Sequence, residues 1–360
     1  MQSKLKELKK TVLFLLLATL FSCQQDNEYI EVSPVVADLT KVPYPKLSDY
    51  KFFKGDLKNL VPAIGVLPYK PASELFTDYA EKLRFVWLPK DTKATYESDY
   101  RVLNLPVGAV LIKSFLYNNE ITTGGRKIIE TRLMIRKEND WIFADYVWNN
   151  EQTEAFLDLQ GSTVPISWVR NGTSEAINYK IPNESQCVTC HAIEDNNYPI
   201  GLKSQNLNNN YSYTGGEKNQ LLKWKEVGYL EDNLPSSIET VVDYTDTSKP
   251  LTARIRSYFD IQCASCHQDG GSAYFVDVRY DYYLTNNFAN MGVCVTPSLQ
   301  IPGLIQSKII KPNNATNSTL HYMMNTNNTF FRMPRVGRTI VHQEGVALVE
   351  EWINSLPACN

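Results

Sequence analysis

The sequence lacks the features that mark a nucleic-acid-binding or membrane-spanning protein. Its 36 Lys and Arg residues against 39 Asp and Glu residues give a formal charge of −3, and no block of like charge occurs. A nucleic-acid-binding protein usually carries a basic patch, so we expect no nucleic-acid partner. After residue 22, no segment approaches the roughly 18 consecutive apolar residues that a membrane-spanning helix needs.

The one long apolar run lies at the N-terminus, over residues 11–21. It follows a group of positive charges at Lys4, Lys6, Lys9 and Lys10. Eleven residues are too few to cross a bilayer, so the pattern predicts a signal peptide over residues 1–22.

The signal peptide ends in Leu20-Phe21-Ser22-Cys23, which resembles a bacterial lipobox. Cleavage before Cys23 would expose its thiol and amine for lipid attachment; the alternative is an ordinary signal peptide with a coincidental Cys. We expect an exported lipoprotein tethered by residues 23–44. Because residue 24 is Gln rather than Asp, we favour the outer membrane.

Two copies of one short motif hold four of the seven cysteines and two of the four histidines. The copies are Cys187-Val188-Thr189-Cys190-His191 and Cys263-Ala264-Ser265-Cys266-His267. Residues at i, i+3 and i+4 share a helix face, so two thiols can add to haem vinyl groups while the imidazole beside them reaches the iron. The sequence therefore predicts two covalent haems c, with His191 and His267 as proximal iron ligands.

Two other readings of the motifs are weaker. Four thiols could bind one structural zinc, but the 72 residues between Cys190 and Cys263 are far from the usual ligand spacing. Each cysteine pair could be a redox dithiol, but neither zinc nor a dithiol requires a His next to both pairs.

The segments flanking the motifs predict different folds. Residues 84–180 contain β-branched and aromatic runs separated by turn residues at Gly124-Gly125, Lys137-Glu138-Asn139-Asp140 and Asn171-Gly172, which indicates an antiparallel β domain. A polar stretch over residues 231–250 indicates a domain boundary. Beyond it, residues 251–263 can form a helix that delivers the second motif, and residues 344–356 have helical apolar spacing.

Residues 250–360 resemble a class I cytochrome c domain, and the mature chain resembles a family of uncharacterised bacterial dihaem c-type cytochromes. The stretches that carry the resemblance are Leu47-Ser48-Asp49-Tyr50, Lys54-Gly55-Asp56-Leu57, Tyr79-Ala80-Glu81-Lys82-Leu83-Arg84-Phe85, Tyr146-Val147-Trp148-Asn149, Gln152-Thr153-Glu154-Ala155, Ile181-Pro182-Asn183 and His342-Gln343-Glu344-Gly345-Val346-Ala347-Leu348. The resemblance implies haem binding and electron transfer, without a known substrate.

The predicted fold class is α+β multidomain. An antiparallel β-rich N-terminal domain over residues 45–245 carries the first haem motif, and an all-α class I cytochrome c-like domain over residues 246–360 carries the second. Class I domains place a distal Met in the loop before the last helix, and Met333 lies 66 residues after His267. The resemblance thus implies Met333 as the second haem's distal ligand, with Met323 or Met324 as the alternatives and core packing as another role for Met333.

The distal ligand of the first haem stays open. Residues 192–262 contain neither Met nor His, so the ligand comes from elsewhere or is absent. Met134 is a weak candidate, since it lies on a predicted strand and can simply face the core. The other candidates are Met291, His321, His342, a Tyr or a Lys, although a structural role is more usual for a lone His such as His342.

Cys294 and Cys359 belong to neither motif. Two remaining cysteines in an exported protein often pair, but Cys359 follows the last predicted helix and could be free.

The expected function is electron transfer between periplasmic or membrane-associated redox partner proteins, because no hydrolytic constellation is recognisable. The alternative is a dihaem peroxidase-like or other haem enzyme that uses an open first haem. A further possibility is that the β domain recognises a partner protein and that the haems exchange electrons with it.

Overall fold

The centre of the fold is an antiparallel sheet formed by β-branched and aromatic segments. A computed structural model of the protein describes residues 31–359. The strands are β1 (Phe53–Lys54), β2 (Val61–Pro62), β3 (Val66–Tyr69), β4 (Glu81–Trp87), β5 (Val110–Glu120), β6 (Gly125–Arg136), β7 (Trp141–Trp148), β8 (Ala155–Leu157), β9 (Ser162–Arg170), β10 (Thr173–Ile181), β11 (Ala192–Ile193), β12 (Asn196–Asn197), β13 (Asn210–Tyr213) and β14 (Gly216–Asn219). The helices are α1 (Glu184–His191), α2 (Ser204–Leu207), α3 (Gln220–Glu226), α4 (Leu251–Gln262), α5 (Thr319–Met324) and α6 (Gln343–Ser355).

The main sheet has eight strands, in which β10, β9, β5, β6, β7 and β8 follow one another. Strand β4 pairs with β5 and with β3. The hairpin between β6 and β7 turns at residues 137–140, and β9 and β10 are joined at Asn171-Gly172, as the turn residues predict.

The two faces of this sheet bury different cores. Because side chains alternate along a strand, Ile112 and Leu133 point to one face, where they share a core with Tyr50 of the N-terminal segment. Leu111 and Met134 point to the opposite face and share a core with Cys187 of the first motif. The sheet therefore places its second face against a predicted cofactor site.

The C-terminal part has its own core, in which α4 and α6 meet. Phe259 of α4 and Trp352 of α6 pack edge to face with their ring centroids 6.2 Å apart. Val346, Val349 and Ile353 are also buried, so the helical spacing near the chain end identifies a real buried face.

The prediction of an all-α class I cytochrome c-like domain over residues 246–360 is wrong. The structure is β-rich, with 27% strand and 19% helix. In this part of the described chain, only α4, α5 and α6 are α-helices, and residues 263–318 form turns and short 3₁₀ segments. The prediction came from the two end helices and from the resemblance to a class I cytochrome c domain. The residues between them are rich in Gly, Pro and Asn and lack an apolar period that would continue a helix.

Pro34–Asn360 cluster as one compact unit, and the boundary predicted between residues 245 and 246 falls inside it and stays a prediction. The predicted signal peptide and Cys23 lie outside the described residues. In the later part of the predicted tether, Val36 N–H donates to the Tyr50 carbonyl at 3.0 Å, and Val42 is buried. Within residues 31–359, none of the helices has the length and apolar content needed to cross a bilayer.

Candidate haem site

The cysteines of both Cys-x-x-Cys-His motifs line the same cavity, between the second face of the main sheet and the C-terminal part, whereas His267 is not among the lining residues. The cavity encloses about 1560 Å³ free of protein atoms, including the part open to solvent. The motif residues among its lining are Cys187, Cys190, His191, Cys263 and Cys266.

The first motif lies on α1, whose start is fixed by its sequence. The Asn183 side chain accepts from Gln186 N–H at 3.0 Å, and the Gln186 side chain accepts from Asn183 N–H at 3.2 Å. This reciprocal cap satisfies two free donors at the helix start. One turn later, α1 presents Cys187, Cys190 and His191 on one face, as their spacing predicts.

The His191 side chain is oriented as a metal-binding imidazole would be. Its Nδ1 lies 2.8 Å from the Tyr198 carbonyl oxygen, so Nδ1 carries the proton and Nε2 is left unprotonated. Burial lowers the pKa of His191 to about 4, which keeps the ring neutral. The edge of the Phe143 ring contacts it, with the ring centroids 5.3 Å apart.

The second motif follows α4 in a series of tight turns rather than on a helix. Cys263 N–H donates to the Phe259 carbonyl at 2.9 Å, and His267 N–H donates to the Cys263 carbonyl at 3.0 Å. Burial lowers the pKa of His267 to about 4, and an aromatic edge, that of Tyr280, again contacts the ring. Among residues 31–359, no group hydrogen-bonds the buried Nδ1 of His267.

The two motifs meet at their second cysteines. The Sγ atoms of Cys190 and Cys266 are 3.7 Å apart, and Cys266 Sγ also lies 3.6 Å from the Thr189 carbonyl oxygen. Their mutual hydrogen bond lowers the pKa of the Cys266 thiol and raises that of Cys190. The arrangement needed for one structural zinc is not present, because no group of three or more His, Cys, Asp or Glu in the described chain could hold a metal ion.

Several predicted distal ligands reach the cavity and others do not. Met333 and Met134 line it, as do Met324 and His342. His342 is held by neighbours of its own, with Nδ1 3.1 Å from the Tyr258 hydroxyl and its ring stacked on Phe76 at 4.1 Å.

The other candidates do not line the cavity. Met291 is fully buried in the C-terminal core. The His321 Nε2 atom lies 3.6 Å from a Glu350 carboxylate oxygen. Met323 is partly exposed and also absent from the lining.

The loop that carries Met333 is fixed by two buried residues that the sequence analysis missed. The Asp78 carboxylate accepts from Thr339 N–H at 2.7 Å and from Ile340 N–H at 3.0 Å. The Arg338 guanidinium donates to the carbonyls of Met333, Met324 and other loop residues. Neither residue belongs to a local motif, so sequence spacing gave no signal for them.

A row of charged side chains on the sheet also escaped the sequence analysis. Lys113, Arg132 and Asp145 line the cavity from β5, β6 and β7. Each occupies a strand position in phase with apolar cavity-facing residues such as Met134 and Phe143. Three charged residues on the inward phase of neighbouring strands are unusual, and that pattern was the available signal.

Comparisons with protein-family models, with curated proteins and with solved structures gave no match to this chain. The resemblance to dihaem c-type cytochromes therefore stays a prediction from the motifs.

The disulfide was left open by the sequence and is present in the structure. Cys294 and Cys359 are bonded, with their Cα atoms 5.8 Å apart. The bridge links the end of the chain to a loop that precedes α5. The four motif cysteines are free thiols.

Proposed function

We propose that this protein is a dihaem c-type cytochrome that transfers electrons between redox partner proteins. The observation that carries the proposal is the meeting of two Cys-x-x-Cys-His motifs at one cavity, with their second thiols 3.7 Å apart. Cys187 and Cys190 would hold one haem and Cys263 and Cys266 the other, with His191 and His267 as proximal ligands. Bound haem would supply the reversible one-electron chemistry of its iron.

Three features of the site fit this cofactor. Most of the residues that line the cavity are apolar or aromatic, as in sites that bind an apolar cofactor. Both histidines have lowered pKa values and are neutral, which is the form that ligates iron. The Nδ1 of His191 donates to a carbonyl, the partner that usually fixes a ligating imidazole.

The closeness of the two attachment sites supports electron transfer more than independent catalysis. Each motif delivers its second cysteine to the same point, so the chain would hold two redox groups as neighbours inside one apolar enclosure. Met134 lines the cavity from strand β6, and Met333 lines it from the loop that precedes α6. A thioether ligand for each iron would favour carriers over open, substrate-binding irons.

The proposal is tested by producing the chain together with a c-type haem maturation system. We expect two haems per chain by pyridine haemochrome assay and mass spectrometry. The variants Cys187→Ser/Cys190→Ser and Cys263→Ser/Cys266→Ser should each retain one haem. Absence of covalent haem in the wild-type chain would refute the proposal.

The peroxidase-like alternative makes a different prediction for the same preparation. An open first haem would bind cyanide and react with peroxide, with a shift in its absorption spectrum. A pair of fully ligated haems would show neither response. The Cys263→Ser/Cys266→Ser variant is the more informative sample for this test, because only the first haem would contribute to its spectrum.

We also propose that the protein is exported and attached to the outer membrane through lipid on Cys23. The support is the N-terminal sequence alone, since Cys23 lies outside the described residues. The partners would then be periplasmic or membrane-associated redox proteins.

A further inference from the structure

The charged row on the cavity wall lies beside the first motif. Lys113 is directly across from Arg132 in the β5–β6 pair, and Arg132 is directly across from Asp145 in the β6–β7 pair. The preceding row on the same face contains Met134 and Phe143, and Phe143 contacts the His191 ring. Each residue of the charged row therefore lies two positions along its strand from the row that contacts the predicted first haem ligand.

Within this row, the charge of Arg132 is already balanced. Its Nη2 and Nε atoms lie 2.6 and 2.9 Å from the two carboxylate oxygens of Glu130. Glu130 is fully buried and also accepts from the Tyr179 hydroxyl at 2.7 Å. A two-point Arg–carboxylate pair of this kind is satisfied in place and needs no further anion.

The Lys113 ammonium, by contrast, is not held in an ion pair, although the buried Glu130 carboxylate attracts it from a distance. Across residues 31–359, no carboxylate forms an ion pair with its Nζ, which instead lies 4.9 Å from the centroid of the Phe115 ring. Burial, together with the Arg84 and Arg132 charges, lowers the pKa of Lys113 well below its usual value. An unpaired ammonium in such a place is costly unless a ligand supplies an anion.

Asp145 provides the second observation that points to a ligand. It is only 5% exposed and lines the cavity, and no hydrogen-bond partner for its Oδ2 atom occurs among the described residues. Arg132 Nε lies 3.7 Å from that atom, beyond hydrogen-bonding distance. Burial raises the pKa of Asp145 to about 8, so that near neutral pH it is mostly a carboxylic acid with a proton to donate.

We propose that Lys113 and Asp145, which lie on either side of Arg132 in the charged row, bind a carboxylate group inside the cavity. The carboxylate would accept from the Lys113 ammonium and from the Asp145 carboxylic acid, and it would balance the excess positive charge of the row. If the proposed function holds, on which this assignment rests, the group is a propionate of the first haem. A small free carboxylate that binds beside the haem has the same chemistry and is the other source.

The test measures the reduction potential of each haem by spectroelectrochemical titration of the haem-loaded full chain. Ferrous haem carries one more negative charge than ferric haem, so the loss of a nearby positive charge disfavours reduction. We expect Lys113→Gln to lower the equilibrium constant for reduction of one haem by about tenfold, or about 59 mV for one electron. Lys113→Arg keeps the charge and should keep the potential. The exposed Lys180, changed to Gln, is the matched control and should have no effect.

Added sodium acetate distinguishes the two sources of the carboxylate. A propionate is always present, so the Lys113→Gln effect should appear without acetate. An external carboxylate would make the wild-type potential depend on acetate, and Lys113→Gln would remove that dependence. Equal potentials for wild type and Lys113→Gln, both with and without acetate, would overturn the inference.

Two further outcomes separate this inference from its rivals. If Lys113→Arg changes the low-spin absorption spectrum, the amine is an iron ligand and the carboxylate assignment is wrong. If the wild-type chain binds no haem, the proposed function fails first. The carboxylate site is then tested on the haem-free chain, where acetate should raise the melting temperature of wild type more than that of Lys113→Gln. Equal responses would overturn the site as well.

Discussion

The Sγ atoms of Cys190 and Cys266 lie 3.7 Å apart although the two residues are separated by 76 positions in the chain. The contact joins the end of helix α1 to the turns that follow α4. It brings the second cysteines of the two motifs together in the cavity. The closeness of these two thiols can therefore be measured in the haem-free protein.

Oxidation of the haem-free chain should cross-link the two motifs. Diamide accepts the two electrons and two protons that two thiols release when a disulfide forms. We expect peptide mapping to find a Cys190–Cys266 link, because the lowered pKa of Cys266 supplies the attacking thiolate. Cys266→Ser is the control and should lack the link. Finding only links within a motif, such as Cys187–Cys190, would contradict the geometry.

The Met333→Ala variant should alter one haem only. Loss of a thioether ligand should abolish the sulfur-to-iron absorption near the red edge of the spectrum and lower the potential of the second haem. Met323→Ala is a matched control, since Met323 is close in sequence but does not line the cavity. If Met333→Ala leaves both potentials intact, Met324 is the next residue to change, because it does line the cavity.

Asp78→Asn should loosen the loop that carries Met333. Asn tolerates the positive φ of 46° at this position. The change therefore mainly replaces one carboxylate oxygen with an amide NH2 group, which cannot accept a hydrogen bond. The N–H groups of Thr339 and Ile340 would then lose part of their shared acceptor. We expect a loss of about 1–3 kcal/mol in the free energy of unfolding by urea denaturation.

The same Asp78→Asn protein should show a weaker sulfur-to-iron absorption if Met333 is the ligand. Thr339→Val is the control, because it removes only the hydroxyl bond at 2.9 Å and keeps both backbone bonds to Asp78. A normal spectrum and unchanged stability in Asp78→Asn would show that this carboxylate does not position the loop.

Glu74 should make stability depend on acid pH. Its carboxylate bonds to Arg84 at 2.7 Å and to Lys70 at 3.1 Å, and its side chain is 30% exposed. Burial alone would raise the pKa of Glu74, but the Arg84 and Lys70 charges outweigh it and lower the pKa from 4.5 to about 2. A lowered folded-state pKa stabilises the fold above pH 4.5, and that contribution is lost as the pH falls towards 2.

Glu74→Gln should therefore destabilise the protein by about 2 kcal/mol at pH 7, after allowance for solvent screening of a partly exposed pair. The difference from wild type should shrink steadily below pH 4.5. Glu151→Gln, at an exposed site, should show no such trend. A difference that is constant from pH 7 to pH 2 would mean that the Glu74 charge is not responsible.

Cys23→Ser should release the protein from membranes. Acyl chains bind a bilayer through about 0.8 kcal/mol per buried methylene, and several chains on one residue give stable attachment. We expect wild type in the detergent-soluble membrane fraction and the variant in the soluble fraction. If the variant stays on the membrane as firmly as wild type, a membrane-bound partner holds it instead.

Features that depend on residues close together in the sequence could be predicted, but contacts between distant segments could not. The spacing of Cys187, Cys190 and His191 predicts a shared helix face, and α1 provides it. The turn at residues 137–140 and the apolar period of α6 also depend on neighbours in sequence. The pairing of Lys113 with Arg132 across two strands depends on register, which a single sequence specifies only weakly.

The error over residues 246–360 has the same origin. The sequence predicts a helix over residues 251–263 and, from apolar periodicity, another over residues 344–356, and α4 and α6 lie close to these bounds. The 3₁₀ segments and turns between them are stabilised by distant contacts, such as Lys203 Nζ with the carboxylates of Asp260 and Asp281 at 2.7 and 3.0 Å. Such contacts leave no periodic signal in the sequence, so the all-α prediction for this segment depended on the resemblance to class I cytochrome c.

The burial of Cys187 has a consequence for the order of events during biogenesis. This thiol is only 8% exposed and packs in the core that the sheet shares with Met134. An enzyme that forms thioether bonds must reach both the sulfur and the porphyrin edge. If the proposed function is correct, haem attachment at Cys187 therefore precedes packing of the sheet against α1. The folded protein would then retain a cofactor that could not be attached after folding.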